Sequence, residues 1–133
     1  MPHIIIETTP SITQIISPAD LVKRVHASAI SIDWFPTIGV RTRLYLADHF
    51  EIADGDPRNI MVHVNIRIGN GFTEEAKRSA VARIDGELAS CFAQHIKTTP
   101  ISLSVEISEL DSKTRTNHSN LRDLAAVASQ HAV

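Results

Sequence analysis

The chain has a single cysteine, Cys91, so no internal disulfide can brace its 133 residues. That length suffices for a hydrophobic core without staples, and the lone thiol fits a reducing compartment. Cys91 falls on the apolar side of a helical stretch, where a buried structural thiol is expected rather than a nucleophile. No charge of one sign is in excess: the formal net charge is −2, with acids and bases mixed along the chain. That balance argues against an extended nucleic-acid or anionic-membrane surface. No apolar run approaches the length of a membrane span, and no basic start precedes an apolar segment as in a signal peptide. The expectation is a cytoplasmic protein of one domain, residues 1–133.

What is present begins at the second residue. Met1-Pro2 runs directly into an apolar strand, His3-Ile4-Ile5-Ile6-Glu7. Removal of the initiator would leave Pro2 with a free secondary amine. An α-amino group has a reference pKa of about 7.7–8.0, and burial lowers it toward the working range of a base. A strand starting at residue 2 would hold that nitrogen rigidly at the mouth of a pocket.

The first strand covers about residues 2–8. Ser17-Pro18-Ala19-Asp20 predicts a helix start, with Ser17 as N-cap and Pro18 in the first turn. Leu21, Val22, Val25 and Ala29 then recur at helical spacing to about residue 30. A second strand runs from Gly39 to Leu46. Val40, Thr42, Leu44 and Leu46 share one face, and Arg41, Arg43 and Tyr45 the other. Asp54-Gly55-Asp56-Pro57 is a turn, after which the plan repeats at an offset of about 59 residues. Val62, Val64, Ile66 and Ile68 alternate against Met61, His63, Asn65 and Arg67. Gly69-Asn70-Gly71 breaks that strand, Thr73-Glu74-Glu75 opens a helix, and an apolar stripe runs to about Ile96. Ile101, Leu103, Val105 and Ile107 mark a fourth strand, and residues 118–130 carry a short helical pattern.

Two βαβ units in tandem imply an α+β fold: a four-stranded mixed sheet with two helices on one face. The core is expected over residues 2–110, with 111–133 as a C-terminal extension. The other sheet face carries Ile5, Tyr45 and Met61 among Arg and His. Because parallel strand pairs are usually covered on both sides, that face is expected to meet further copies of the chain.

Several segments together resemble the 5-carboxymethyl-2-hydroxymuconate isomerase family of the tautomerase superfamily. They are Pro2 to Glu7, Phe35-Pro36-Thr37-Ile38-Gly39-Val40-Arg41-Thr42-Arg43, Ala53-Asp54-Gly55, Val62 to Gly69 and Leu103 to Leu110. The resemblance implies a tautomerase-like homotrimer with neither metal nor organic cofactor. It implies that Pro2 is the catalytic acid–base and that Arg41, the first arginine of Gly-x-Arg-x-Arg, holds a carboxylate and favours a developing oxyanion. Arg43 projects from the same face and is a candidate for substrate binding. The implied activity moves a proton within a small unsaturated 2-hydroxy or 2-oxo carboxylic acid.

One position departs from the family pattern. After the Ile-Gly-x-Gly turn, where the isomerases carry a second carboxylate-binding arginine, this chain has Phe72. An aromatic ring cannot make a bidentate charged contact, so a substrate with fewer carboxylates is expected. Phe72 also keeps open a related proline-dependent decarboxylase or hydratase, and an inactive trimeric binding protein.

Other features read more plainly. Seven histidines show no metal-ligand spacing, and surface or interface roles are expected, with His3 and His63 lining the oligomer. Apart from the resemblance, Arg41 and Arg43 read as a solvated strand face or as salt-bridge partners between subunits. Trp34 and Phe35 suit a core, an interface or a pocket wall. Gly69-Asn70-Gly71 lacks a phosphate-binding fingerprint, and Asp54 and Asp56 suit turn geometry.

Overall fold

The computed structural model describes residues 1–131, and side chains as far as Ala128. Strand β1 (His3–Thr8) leads to helix α1 (Pro18–Ile30) and strand β2 (Arg41–Leu46); β3 (Ile60–Gly69), α2 (Glu74–Phe92) and β4 (Ile101–Leu110) repeat the unit. The sheet order is β2-β1-β3-β4. Each βαβ unit supplies a parallel pair, β1 with β2 and β3 with β4, and β1 meets β3 antiparallel in the middle. The expected mixed four-stranded α+β sheet is therefore present.

Local chemistry explains the helix starts. The Ser17 side chain accepts from the Asp20 amide at 3.0 Å, and the Thr73 side chain from the Ala76 amide at 3.1 Å. Each bond satisfies an amide that the first helical turn leaves without a partner. Asp20, Glu74 and Glu75 add negative charge near the positive helix end.

Period-two alternation assigns the faces. Ile4, Ile6, Val62, Val64, Ile66 and Ile68 point to the helices, where they meet Leu21, Val25, Ala29, Ala80, Ile84, Leu88 and Phe92 in one buried cluster. Burying each large aliphatic side chain contributes about 1.5–3 kcal/mol. Thr8 is the polar member of this face, and its hydroxyl donates to the Met61 carbonyl at 2.7 Å. At the β2 edge, Thr42 Oγ1 is hydrogen-bonded to His26 Nδ1 of α1 at 2.8 Å.

Two sequence expectations need correction. The apolar stripe of α2 does not reach Ile96: the helix ends at Phe92, and the chain turns as the His95 and Ile96 amides both bond to the Phe92 carbonyl. Ile96 is 56% exposed there, so its side chain takes no part in the core. The helix count is three, not two, because the C-terminal extension forms α3 (Leu121–His131). Its periodic Leu121, Leu124 and Val127 are all exposed, so the pattern that makes it helical does not bring it into the layer over the sheet. Among the described residues, no helix is long and apolar enough to cross a membrane.

The helix-free face has a mixed surface. Ile5 is buried among its neighbours, Met61 is half-buried and Tyr45 is 56% exposed. Around them stand Arg41, Arg43 and Arg67, together with His3, His63 and Glu106. His63 lies between Ser104 and Glu106, its Nδ1 at 2.6 Å from the hydroxyl and its Nε2 at 3.0 Å from the carboxylate.

Candidate active site

Pro2 and Arg41 meet where the parallel β1–β2 pair begins. The Arg41 backbone N–H donates to the Pro2 carbonyl at 3.0 Å. Pro2 is buried and Arg41 half-buried. With Met1 in place, the Pro2 nitrogen is an amide whose lone pair is delocalised into the peptide bond, so it cannot serve as a base.

Met1 forms part of the wall of a cavity of about 270 Å³, with Pro36, Ile38 and Gly39 from the segment before β2 and Asn117, Ser119, Arg122 and Asp123 from the C-terminal segment. Its sulfur lies 3.3 Å from Arg41 Nη1 and 3.7 Å from Asn117 Nδ2. Arg41 Nη1 also donates to the Gly39 carbonyl at 2.8 Å, which fixes the guanidinium beside the cavity. Gly39 is required by packing here. A Cβ at this position would stand 2.9 Å from Pro36 Cγ and 3.5 Å from Met1 Cγ.

The electrostatics favour a neutral amine and an anionic ligand. Burial above all, then the charges of Arg115 and Arg41, hold the chain-terminal α-amino group below its ordinary pKa of 8.0. His3 is flanked in register by Arg41 on β2 and Arg67 on β3. Its pKa is lowered from 6.5, first by burial, then by Arg43, Arg41, Arg67 and the terminal amine. Arg43 Nη1 donates to His3 Nδ1 at 3.0 Å. Among the described residues, none of these three arginines is in an ion pair, so the strand ends carry uncompensated positive charge.

Phe72 joins through stacking. Its ring centroid is 4.4 Å from that of Trp34, and Trp34 meets Phe35 edge-on at 4.6 Å. Phe35 is buried immediately before Pro36 of the cavity wall. Of the four candidates, Pro2 and Arg41 are linked directly, Arg43 reaches the group through His3, and Phe72 is connected to it through aromatic packing.

The sequence pattern of the 5-carboxymethyl-2-hydroxymuconate isomerase family matches residues 2–125. This chain belongs to that family. Its activity class is that of an isomerase of the tautomerase type. The 5-carboxymethyl-2-hydroxymuconate Delta-isomerase of Escherichia coli is 29% identical over 110 residues, covering 83% of this chain and 87% of the relative. The crystal structure of a 5-carboxymethyl-2-hydroxymuconate isomerase from Deinococcus radiodurans R1 superposes with a TM-score of 0.85 at 26% identity, over 93% of both chains. A 5-carboxymethyl-2-hydroxymuconate delta-isomerase structure at 22% identity shares the fold with a TM-score of 0.82, over 94% of this chain and 93% of the other.

The C-terminal segment of this isomerase family member holds what sequence reasoning missed. Asn117, Ser119, Arg122 and Asp123 line the cavity, and Arg115 acts electrostatically on the terminal amine. They are isolated polar residues at the end of the chain, so no periodicity or spacing marks them. Cys91, expected to be buried, is half-buried against the core, and burial pushes its thiol pKa up from 9.0.

Proposed function

We propose that the working form begins at Pro2 and moves a proton within a small unsaturated 2-hydroxy or 2-oxo acid. The observation that carries the reading is the pairing of Pro2 with Arg41 beside the cavity, through the 3.0 Å bond between their backbones. The surroundings that depress the Met1 amine would act on a Pro2 amine in the same direction, because Pro2 is the more deeply buried residue and the Arg41 guanidinium stands beside Met1. A larger share of the amine is then neutral near pH 7.

The proton balance closes within the substrate. The neutral Pro2 amine takes the proton of the 2-hydroxyl; the oxygen electrons form the C2 carbonyl as the conjugated double bonds shift. The prolinium then returns the proton to the terminal carbon of the dienol system. One group acts first as base and then as acid, which requires a pKa near the working pH. Arg41 binds the C1 carboxylate and stabilises negative charge on the C2 oxygen during transfer. Arg43 supports binding from the neighbouring position on the same face. Phe72 presents a ring where the family pattern has an arginine, so the favoured substrate carries fewer carboxylates than 5-carboxymethyl-2-hydroxymuconate.

The reading includes a homotrimer joined through the helix-free face, because Tyr45 and its apolar neighbours are otherwise left without a covering layer. It also makes the enzyme cytoplasmic, since its sole thiol has no use for an oxidising compartment. The test is an ultraviolet tautomerisation assay on 2-hydroxypenta-2,4-dienoate, using preparations whose first residue has been fixed by mass spectrometry. Protein starting at Pro2 is expected to turn over, and protein retaining Met1 to be inactive. Equal rates would remove the amine from the mechanism.

A further inference from the structure

This inference rests on the proposed proline chemistry and concerns how the same cavity grips its acid. The Met1 thioether is the atom on which two donors from distant parts of the chain converge. Arg41 Nη1 approaches from β2 at 3.3 Å, and Asn117 Nδ2 from the segment beyond β4 at 3.7 Å. A thioether is a weak acceptor, and neither donor gains much from it. In a chain that starts at Pro2, both donors would face the space next to the amine.

We propose that Asn117 and Arg41 form a clamp for the C1 carboxylate of a short 2-hydroxy or 2-oxo acid, with Asn117 as a specificity-determining residue supplied by the C-terminal segment. A carboxylate oxygen accepts charge-assisted bonds at about 2.7–2.9 Å. Asn117 is exposed on an irregular stretch and can close that distance without disturbing the core. Its carboxamide adds a donor without adding charge, so Arg41 remains the cation of the pair. Arg115, from the same segment, strengthens the local field.

The cavity lining also bears on the far end of the substrate. With Met1 in its wall the cavity measures about 270 Å³, and a chain that starts at Pro2 would open it further. Pro36 and Ile38 contribute apolar lining, and Arg122 and Asp123 contribute charge of both signs. Arg122 and Asp123 offset one another's charge in the lining, and an uncharged tail can lie along the apolar wall. The clamp reads the C1 end of a 2-hydroxydienoate or 2-oxo acid, and the monocarboxylic class follows from the proposed reading of Phe72.

The test uses protein beginning at Pro2 and two readouts, binding of the non-isomerising acid 2-oxopentanoate by calorimetry and turnover of 2-hydroxypenta-2,4-dienoate. Asn117→Ala is expected to weaken 2-oxopentanoate binding about tenfold, the loss of one hydrogen bond to a charged group, and to raise KM more than it lowers kcat. Asn117→Asp, nearly isosteric, is expected to weaken binding further by placing like charges together. The neutral amide of 2-oxopentanoate should not show that additional loss. Binding unchanged within about twofold in both variants would overturn the clamp even if turnover still depends on Pro2. Conversely, if turnover proves independent of Pro2 while binding still follows Asn117, the clamp stands and the proline reading fails. Thermal unfolding of each variant confirms that the fold is intact, and the exposed Asn117→Asp change keeps the test valid if the alanine variant is unstable.

Discussion

Arg43 and His3, diagonal neighbours on one face of the parallel strands β2 and β1, share a hydrogen bond of 3.0 Å from the guanidinium Nη1 to the imidazole Nδ1. Arginine can only donate, so the bond exists only while Nδ1 is unprotonated. The His3 pKa lies below 6.5, through burial first and the surrounding arginines next. Protonating His3 therefore breaks a bond and adds a cation beside Arg41, Arg43 and Arg67.

The sign of the resulting pH dependence follows. The native pKa is depressed, so as pH falls past about 6.5 the unfolded chain binds a proton that the native chain does not. This contribution to stability is complete above that value and is lost as pH falls toward the lower native pKa. Urea unfolding of His3→Gln is expected to show a shallower loss of stability between about pH 7.5 and pH 5.5 than the unaltered chain. Parallel curves would mean that other groups carry the acid sensitivity.

General acid–base catalysis of the kind proposed for the Pro2 amine is worth about 10²–10⁴ in rate. Pro2→Ala, processed to a free alanine amine, keeps a base at the same point but changes its basicity and geometry. Turnover is expected to fall about tenfold, well short of the full acid–base contribution. Arg41→Ala should cost more, about a hundredfold in kcat, in line with removal of one donor to a developing oxyanion. Stopped-flow ultraviolet measurements on both variants give the comparison directly.

Phe72→Arg tests substrate charge. The new guanidinium can lie over the Trp34 ring that Phe72 now meets at 4.4 Å, so the loss of stability should stay near the value of one aromatic pair, about 0.5–1.5 kcal/mol. The ratio of kcat/KM for 5-carboxymethyl-2-hydroxymuconate over 2-hydroxypenta-2,4-dienoate should rise about tenfold or more, since a charged hydrogen bond contributes about 1.5–3 kcal/mol. A ratio that does not move would assign the distal carboxylate to another cation, with Arg67 the first to examine.

Association should follow the helix-free sheet face. Sedimentation equilibrium of the unaltered protein is expected to give three times the chain mass. Tyr45→Glu, at a position 56% exposed in the isolated chain, should shift the population toward monomer without changing the far-ultraviolet circular dichroism. A monomer in the unaltered protein at micromolar concentration would leave the open face without its proposed cover.

The sequence carried most of the fold because its strongest signals are local. Ser17 before Pro18, and the alternation from Val62 to Ile68, each specify an element from adjacent residues. The end of α2 was not legible: Ile96 continues an apolar rhythm, and only the turn after Phe92 shows that the helix has stopped. In the candidate site, Pro2 and Arg41 were recognisable through motif resemblance. Asn117 was not, because its approach to Met1 brings together residues 116 positions apart and leaves no trace in local spacing.

The strand order β2-β1-β3-β4, parallel at both margins and antiparallel in the centre, gives the sheet a two-fold pseudosymmetry, with each half matched by the other turned end for end. The chemistry does not share that symmetry. The second half enters its first strand from Asn59, in mid-chain, so it has no terminal amine to offer. Its first outward pair is Met61 with Ser102, where the first half has His3 with Arg41. A circular permutant opened before β3 would move the free amine to the opposite end of the sheet, and there it would find a serine in place of the guanidinium. The frame is duplicated, but only one of its two ends carries the proposed site.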